Sequence, residues 1–148
     1  RTISMLKELL NCYQTYEIVV TLQPTSPLRT SKDIDNAIKL YIKKNAKSVV
    51  SVCKAEHPPY LINTLGDDLS MKNFAYKLEE NNFKSNSNNY FRLNGAIYCN
   101  DIQLIKIENE LLLKKKTYAY IMPNIRSIDI DTLEDFLFAE YLIKKENK

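Results

Sequence analysis

Short β-prone runs that are apolar on both faces alternate along this chain with stretches carrying apolar residues at helical spacing, and that alternation restricts the fold more than any other feature. The run Glu17-Ile18-Val19-Val20-Thr21-Leu22 is continuously β-prone. A strand that is apolar on both faces belongs in a sheet covered by helices above and below, the arrangement of parallel α/β proteins. Before it, Ile3, Leu6, Leu9, Leu10 and Tyr13 repeat at helical spacing. After it, Gln23 to Thr30 holds Pro24 and Pro27 and must be a loop, and Ser31 can cap a helix. That helix carries Ile34, Ala37, Ile38, Tyr41 and Ile42 in the i, i+3, i+4, i+7, i+8 pattern of a buried stripe. Ser48 to Cys53 reads as a second buried strand, which closes a βαβ unit with a right-handed crossover.

Residues 54–91 differ in character, with Pro58-Pro59, the turn signal Gly66-Asp67-Asp68 and the polar run Asn81 to Asn89. This segment is expected to leave the sheet as a flap or an oligomerisation arm. Asn94 to Asn100 returns to a strand, and Asp101 can cap a short helix through about Glu110. Tyr118 to Met122 is a further strand, broken by Pro123, and Ser127 to Ile130 is short and extended. A closing helix from Thr132 to about Lys145 carries Leu133, Phe136, Leu137, Ala139, Tyr141 and Leu142. The expected class is therefore α/β, three-layered, with a mostly parallel sheet. Only two glycines in 148 residues disfavour the alternative of an all-β protein built on glycine-rich hairpins.

Composition excludes several functions. A formal charge of +3 is spread out, and its dense run, Lys114 to Lys116, lacks the interleaved aromatics and single basic face of a nucleic-acid footprint. No stretch approaches the roughly 20 apolar residues of a membrane span, and no signal peptide is visible. Cys12, Cys53 and Cys99 are odd in number and widely spaced, which fits reduced thiols in a cytoplasmic protein. Opening on Arg1 directly into an amphipathic helix, the chain is expected to continue upstream.

Ligands of open α/β sheets bind beyond the carboxyl ends of strands, and three unusual segments fall at such ends. Gln23-Pro24-Thr25-Ser26-Pro27-Leu28-Arg29 is a stiffened loop presenting an amide, two hydroxyls and a guanidinium, suited to a polyol or phosphate. It can equally be a proline-shaped connection whose Thr30 and Ser31 merely cap a helix. Ser127-Ile128-Asp129-Ile130-Asp131 places two carboxylates on one side of an extended segment, their Cα atoms roughly 6.5 to 7 Å apart. Both can converge on one hard cation, which relieves a repulsion of about 4 kcal/mol at an effective dielectric of 20. Asp131, with Glu134 three residues on, can instead cap the last helix. In Asn89 to Tyr98, Arg92, Asn94 and Tyr98 bring together a cation, an amide and a phenol, and Gly95 lets a ligand approach the backbone. Tyr98 alone can also be core. His57, with no nucleophile or acid at triad spacing, reads as a turn residue.

Taken together, Leu22 to Arg29, Asn94-Gly95-Ala96-Ile97-Tyr98 and Ser127 to Asp131 resemble the acylneuraminate cytidylyltransferases, from about Val19 to Leu142. The resemblance implies a Rossmann-like nucleotidyltransferase fold, a homodimer, and transfer of CMP from CTP to the anomeric hydroxyl of a nine-carbon α-keto acid sugar with release of pyrophosphate. It further implies Mg²⁺ (or Mn²⁺) on Asp129 and Asp131, with Gln23, Asn94 and Tyr98 orienting the sugar and Arg29 and Arg92 near the sugar or phosphate charge. Residues 54–91 would be the dimerisation arm that completes a neighbour's sugar pocket.

Two departures stand out. The family's basic, glycine-containing CTP loop after its first strand is not in these 148 residues, so residues 1–148 are expected to form a partial cytidylyltransferase domain, inactive alone. Where many members carry an arginine-glutamine pair, this chain has Lys84-Ser85-Asn86-Ser87-Asn88. Lys84 can meet a carboxylate only as a point charge, without a bidentate fork, which opens the sugar to relatives such as legionaminic acid. The alternative is a non-catalytic sugar- or nucleotide-binding module that retains the sheet and lacks the CTP site.

Overall fold

The computed structural model describes residues 16–71 and 90–146, together with Ser4, Leu6 and Glu8 of the N-terminal stretch. The three isolated residues are helical and Leu6 is buried, whereas Ile3, Leu9, Leu10 and Tyr13 of the expected stripe lie outside the described residues, as does Cys12. Two compact units emerge: residues 54–92 form one, and residues 1–53 with 93–148 form the other.

The larger unit is built on a four-stranded sheet of β1 (Ile18–Thr21), β2 (Ser48–Lys54), β3 (Phe91–Asp101) and β4 (Thr117–Ile121), in the order β1-β3-β2-β4. β2 and β4 are parallel, with Val50 opposite Ala119. β3 is antiparallel to β1, with Val20 opposite Cys99. It also runs antiparallel to β2, because the Asp101 N–H donates to Lys47 O while Ile97 lies against Ser51. The sheet is therefore mixed rather than mostly parallel, and β1 and β2 do not touch as a simple βαβ unit would require. β3 enters between the first two strands, antiparallel to both.

Helix α1 (Ser31–Lys43) covers one face. It begins one residue earlier than Ser31 capping would give: Thr30 is the N-cap, and Thr30 with Asp33 forms a capping box. Ala37, Ile34, Ile38 and Tyr41 pack on Val49, Ala96, Ile97, Cys99 and Met122, whereas Ile42 at the end of the stripe is exposed. Complete burial of Ile97 contributes about 1.5 to 3 kcal/mol relative to exposure. Helix α2 (Ile102–Glu108) starts as expected at Asp101, whose carboxylate accepts from the Gln103 and Leu104 N–H groups. It stops short of Glu110 because Asn109 adopts the left-handed conformation, φ 56°, that asparagine tolerates best among residues with a side chain.

Helix α3 (Leu133–Glu146) closes the described chain. Its first turn is capped by Thr132 and Asp135, not by Asp131 and Glu134: Thr132 Oγ1 accepts from the Asp135 N–H while Asp135 accepts from the Thr132 N–H. Of its expected apolar stripe only Ala139 and Leu142 are buried, against Leu28, Ile128 and Ile130. Among the described residues no helix is long and apolar enough to cross a membrane. Cys53 and Cys99 are both buried and free, and burial raises the Cys99 thiol to about 11.

Candidate active site

The three unusual segments meet at the carboxyl end of β1. Gln23 leaves that strand in a turn closed by the Ser26 N–H donating to Gln23 O at 3.3 Å. The Arg29 guanidinium donates to Gln23 O at 3.1 Å and to Ala96 O at 2.8 Å, so it fastens the proline loop to β3. Ser26, fully buried, donates from Oγ to Asn94 O. Ile130 N–H donates to Thr25 O at 2.9 Å and lays the acidic segment along the same loop. Ser127 to Ile130 is not a strand of the sheet, and Ser127, with φ -113° and ψ 23°, is not extended as expected.

Alternation along that segment decides where Asp129 points. Ile128 and Ile130 both pack into the cluster of Leu28, Ala139 and Leu142 under α3. Asp129, between them, faces the opposite way, toward Gly95. A Cβ on Gly95 would lie 3.3 Å from Asp129 Oδ2 and would overlap Gln23 Oε1. Gly95 has φ +72°, a conformation that a residue with a side chain rarely adopts. The bare backbone of this glycine thus forms a floor over which an amide oxygen and a carboxylate come together. Asp129 Oδ1 and Gln23 Oε1 are both buried without a hydrogen-bond partner. Buried acceptors are nearly always satisfied, so two orphaned oxygens at one place mark a position for something that supplies positive charge or donors. Tyr98 is raised above its usual range by burial and then by the charge of Asp129.

The remaining expected site residues are placed differently. Asn94 is 1 % exposed and its amide is engaged internally. Its Oδ1 accepts from Ser51 Oγ at 2.6 Å and from the Ala96 N–H, and its Nδ2 donates to Ser127 Oγ at 2.8 Å. It cannot reach a sugar from there without breaking those bonds, and its task is to hold Gly95 and Ser127 in place. Arg29 likewise serves backbone carbonyls rather than an open surface. Asp131 is exposed, with its N–H donating to Asp135. Arg92 belongs to the unit of residues 54–92, where its Nε and Nη2 each donate to Glu56 at 3.0 Å. His57 in that unit is exposed. Lys84 falls outside the described residues.

One constellation had no signal at the level of single motifs. Asp33, 1 % exposed in the first turn of α1, accepts from Arg126 Nε at 3.0 Å and Nη2 at 2.9 Å, and from Tyr120 Oη at 3.1 Å. Burial pushes its carboxyl up, but the bonds from Arg126, Thr30 and Tyr120 together outweigh burial and hold it well below the usual carboxylate range. The pattern Thr30-x-x-Asp33 was available as a capping-box cue. The partnership with a side chain 93 positions away was not.

No protein-family model matches the chain. Among curated proteins it is 35% identical over 144 residues to an N-acylneuraminate cytidylyltransferase of Escherichia coli, a match covering 97% of this chain and 34% of that protein. The corresponding enzyme of Streptococcus agalactiae is 33% identical over 154 residues, with 97% and 36% covered. A CMP-N,N'-diacetyllegionaminic acid synthase of Legionella pneumophila is 33% identical over 132 residues, with 87% and 55% covered. In three dimensions the chain resembles 4-diphosphocytidyl-2C-methyl-D-erythritol synthase of Anaerococcus prevotii, with a TM-score of 0.63 at 18% identity, covering 97% of this chain and 64% of that one. At that identity the likeness concerns the fold, an α/β arrangement shared with a nucleotidyltransferase. Over nearly all of its own length, and about a third of theirs, this chain is a homologue of the N-acylneuraminate cytidylyltransferases.

Proposed function

We propose that this chain carries the sugar- and metal-facing part of a cytidylyltransferase that moves CMP from CTP to the anomeric hydroxyl of a nine-carbon α-keto acid sugar and releases pyrophosphate. The observation that carries the reading is the meeting of Gln23 Oε1 and the Asp129 carboxylate at Gly95, with Gln23 Oε1 and Asp129 Oδ1 both buried and without a hydrogen-bond partner. A hard divalent cation takes oxygen ligands, and a carboxylate with a free buried oxygen beside a carboxamide oxygen fits one. Asp129 would hold Mg²⁺ (or Mn²⁺), with the exposed Asp131 as the second carboxylate the ion could take. When bound, the ion draws charge from the phosphates as the bond to pyrophosphate breaks. Gln23 would orient the sugar, and Tyr98, kept protonated by its surroundings, would offer a phenol hydrogen. Arg29 and Asn94 act from beneath, by fixing the loop and the glycine floor. Such transfers need alignment and charge neutralisation more than covalent help, and the residues present supply those two.

Partners in this reading are CTP, a nonulosonic acid and a second copy of the chain docked through residues 54–91, in the cytoplasm. Neither N-acetylneuraminic nor legionaminic acid is favoured by relatives of both kinds at 33–35% identity. The test is pyrophosphate release by the full-length protein, not by residues 1–148 alone, with CTP, Mg²⁺ and a panel of nonulosonic acids. Release with at least one of them is expected. A second reading has an observation of its own: with glycine only at 66 and 95, these residues contain no glycine-rich phosphate loop. A module that binds the sugar without turning over CTP would show sugar binding by calorimetry and no pyrophosphate.

A further inference from the structure

Beyond this reading of the site, and resting on it, we propose that Asp33 and Arg126 are positioning residues that set Asp129 against Gln23. A capping-box carboxylate ordinarily sits at the surface and serves its own helix. Asp33 does serve α1, accepting from the Thr30 N–H at 3.0 Å and from Thr30 Oγ1 at 2.7 Å. It is nevertheless buried, and it takes three further donors from elsewhere: both arms of the Arg126 fork and the Tyr120 hydroxyl. A helix cap does not need them.

What those donors share is their place in the chain. Thr30 ends the proline loop that begins at Gln23, and Tyr120 stands at the end of β4. Arg126 is the last residue of the 3₁₀ turn Asn124–Arg126, immediately before the acidic segment. One carboxylate therefore joins the two loops that carry the proposed site. Downstream of Arg126 the segment is pinned twice more, at Ser127 by Asn94 Nδ2 and at Ile130 by Thr25 O. Asp129 is the residue left to project between those pins. Asp129 lies three residues beyond Arg126, so the orientation of the turn at Arg126 helps to set where the segment between these pins starts and hence where Asp129 projects. The bidentate fork is the geometry that resists rotation of that turn, because two parallel bonds fix the plane of the guanidinium.

The test uses Arg126→Met, Arg126→Lys and Tyr120→Phe in the full-length protein, with folding checked by circular dichroism. Displacement of a reacting group by about 1 Å costs on the order of a hundredfold. For Arg126→Met we expect kcat for pyrophosphate release to fall by about 10- to 100-fold, and the Mg²⁺ concentration for half-activity to rise severalfold. The KM for the sugar should change less. Arg126→Lys should recover only part, since it restores charge without the fork, and Tyr120→Phe should shift the same quantities by a few fold. A readout independent of turnover is amide exchange at Ile130: its protection should drop in Arg126→Met while that of Val49 in β2 is retained. Unchanged Mg²⁺ dependence together with unchanged Ile130 protection in a folded variant overturns the proposal. If Arg126→Met does not fold, Tyr120→Phe decides by the same two readouts. If the unsubstituted protein releases no pyrophosphate with any sugar, the reading of the site fails instead, and Ile130 exchange still decides whether Asp33 and Arg126 position the segment.

Discussion

Replacing Gly95 with alanine probes the floor of the site directly. The structure sets two costs. At φ +72° the backbone is in a region where a side chain costs about 1 to 2 kcal/mol. The new methyl would overlap Gln23 Oε1 and approach Gln23 Cδ to 3.2 Å and Asp129 Oδ2 to 3.3 Å. Because the overlapped atom ends a flexible side chain, Gln23 should swing away rather than push the backbone, at about 0.5 to 1.5 kcal/mol for an off-rotamer position. Reduced freedom of the unfolded chain returns about 0.4 to 1 kcal/mol. The net expectation is a loss of about 0.5 to 3 kcal/mol in urea unfolding, with the slope m unchanged. The steric share can be isolated with Gln23→Ala. That change alone should be near neutral, since the amide oxygen has no partner to lose. In the Gly95→Ala background it should restore the off-rotamer share, giving a coupling of about 0.5 to 1.5 kcal/mol. A Gly95→Ala variant within 0.5 kcal/mol of the parent, or strict additivity of the two changes, would refute the arrangement described.

Three further outcomes follow from the structure. Asp33→Ala removes a buried carboxylate that accepts from Thr30, Tyr120 and the half-buried Arg126, and should cost about 1.5 to 3 kcal/mol in chemical unfolding. Since the folded carboxyl of Asp33 is held below its unfolded value, its contribution is complete above about pH 4 and is lost as pH falls toward the folded value, so Asp33→Ala should flatten the acid limb of a stability profile. Asn94→Ala removes the amide that links Ser51 to Ser127, while Ser51 keeps Ile97 and Ser127 keeps Pro123 as partners, so it should cost about 0.5 to 1.5 kcal/mol for each hydrogen bond lost. Asp101→Ala, which strips the N-cap of α2, should cost about 0.5 to 2 kcal/mol by thermal unfolding, with little added by the partly exposed Lys47.

Much of this was legible in the sequence because it depends on local pattern. Period and propensity place β1, β2, β3, β4 and all three described helices to within a few residues, and the caps follow from short polar residues at the right offsets. Strand direction did not follow. A β-prone run at residues 94–100 looks the same whichever way it runs. The same limit applies to side chains. The sequence put Gln23, Gly95, Tyr98 and Asp129 in three segments at strand ends without saying that the ends coincide, and the structure brings them together. Nor could the sequence separate residues that face a ligand from those that hold the framework. Asn94 and Arg29 carry the polarity of binding groups, yet their partners are Ser51, Ser127 and two carbonyls, contacts made across 6 to 67 positions of chain. The fork of Arg126 on Asp33 is a tertiary event with no local trace.

In the proposed function Asp129 is the carboxylate that would bring a divalent ion to the triphosphate, and the most direct test is Asp129→Asn in the full-length protein, assayed for Mg²⁺-dependent pyrophosphate release. The isosteric amide should lower turnover by about a hundredfold or more, the scale of several kcal/mol of charge stabilisation, while the protein stays folded and still binds the sugar. Turnover equal to that of the unsubstituted protein would contradict the proposed role of Asp129.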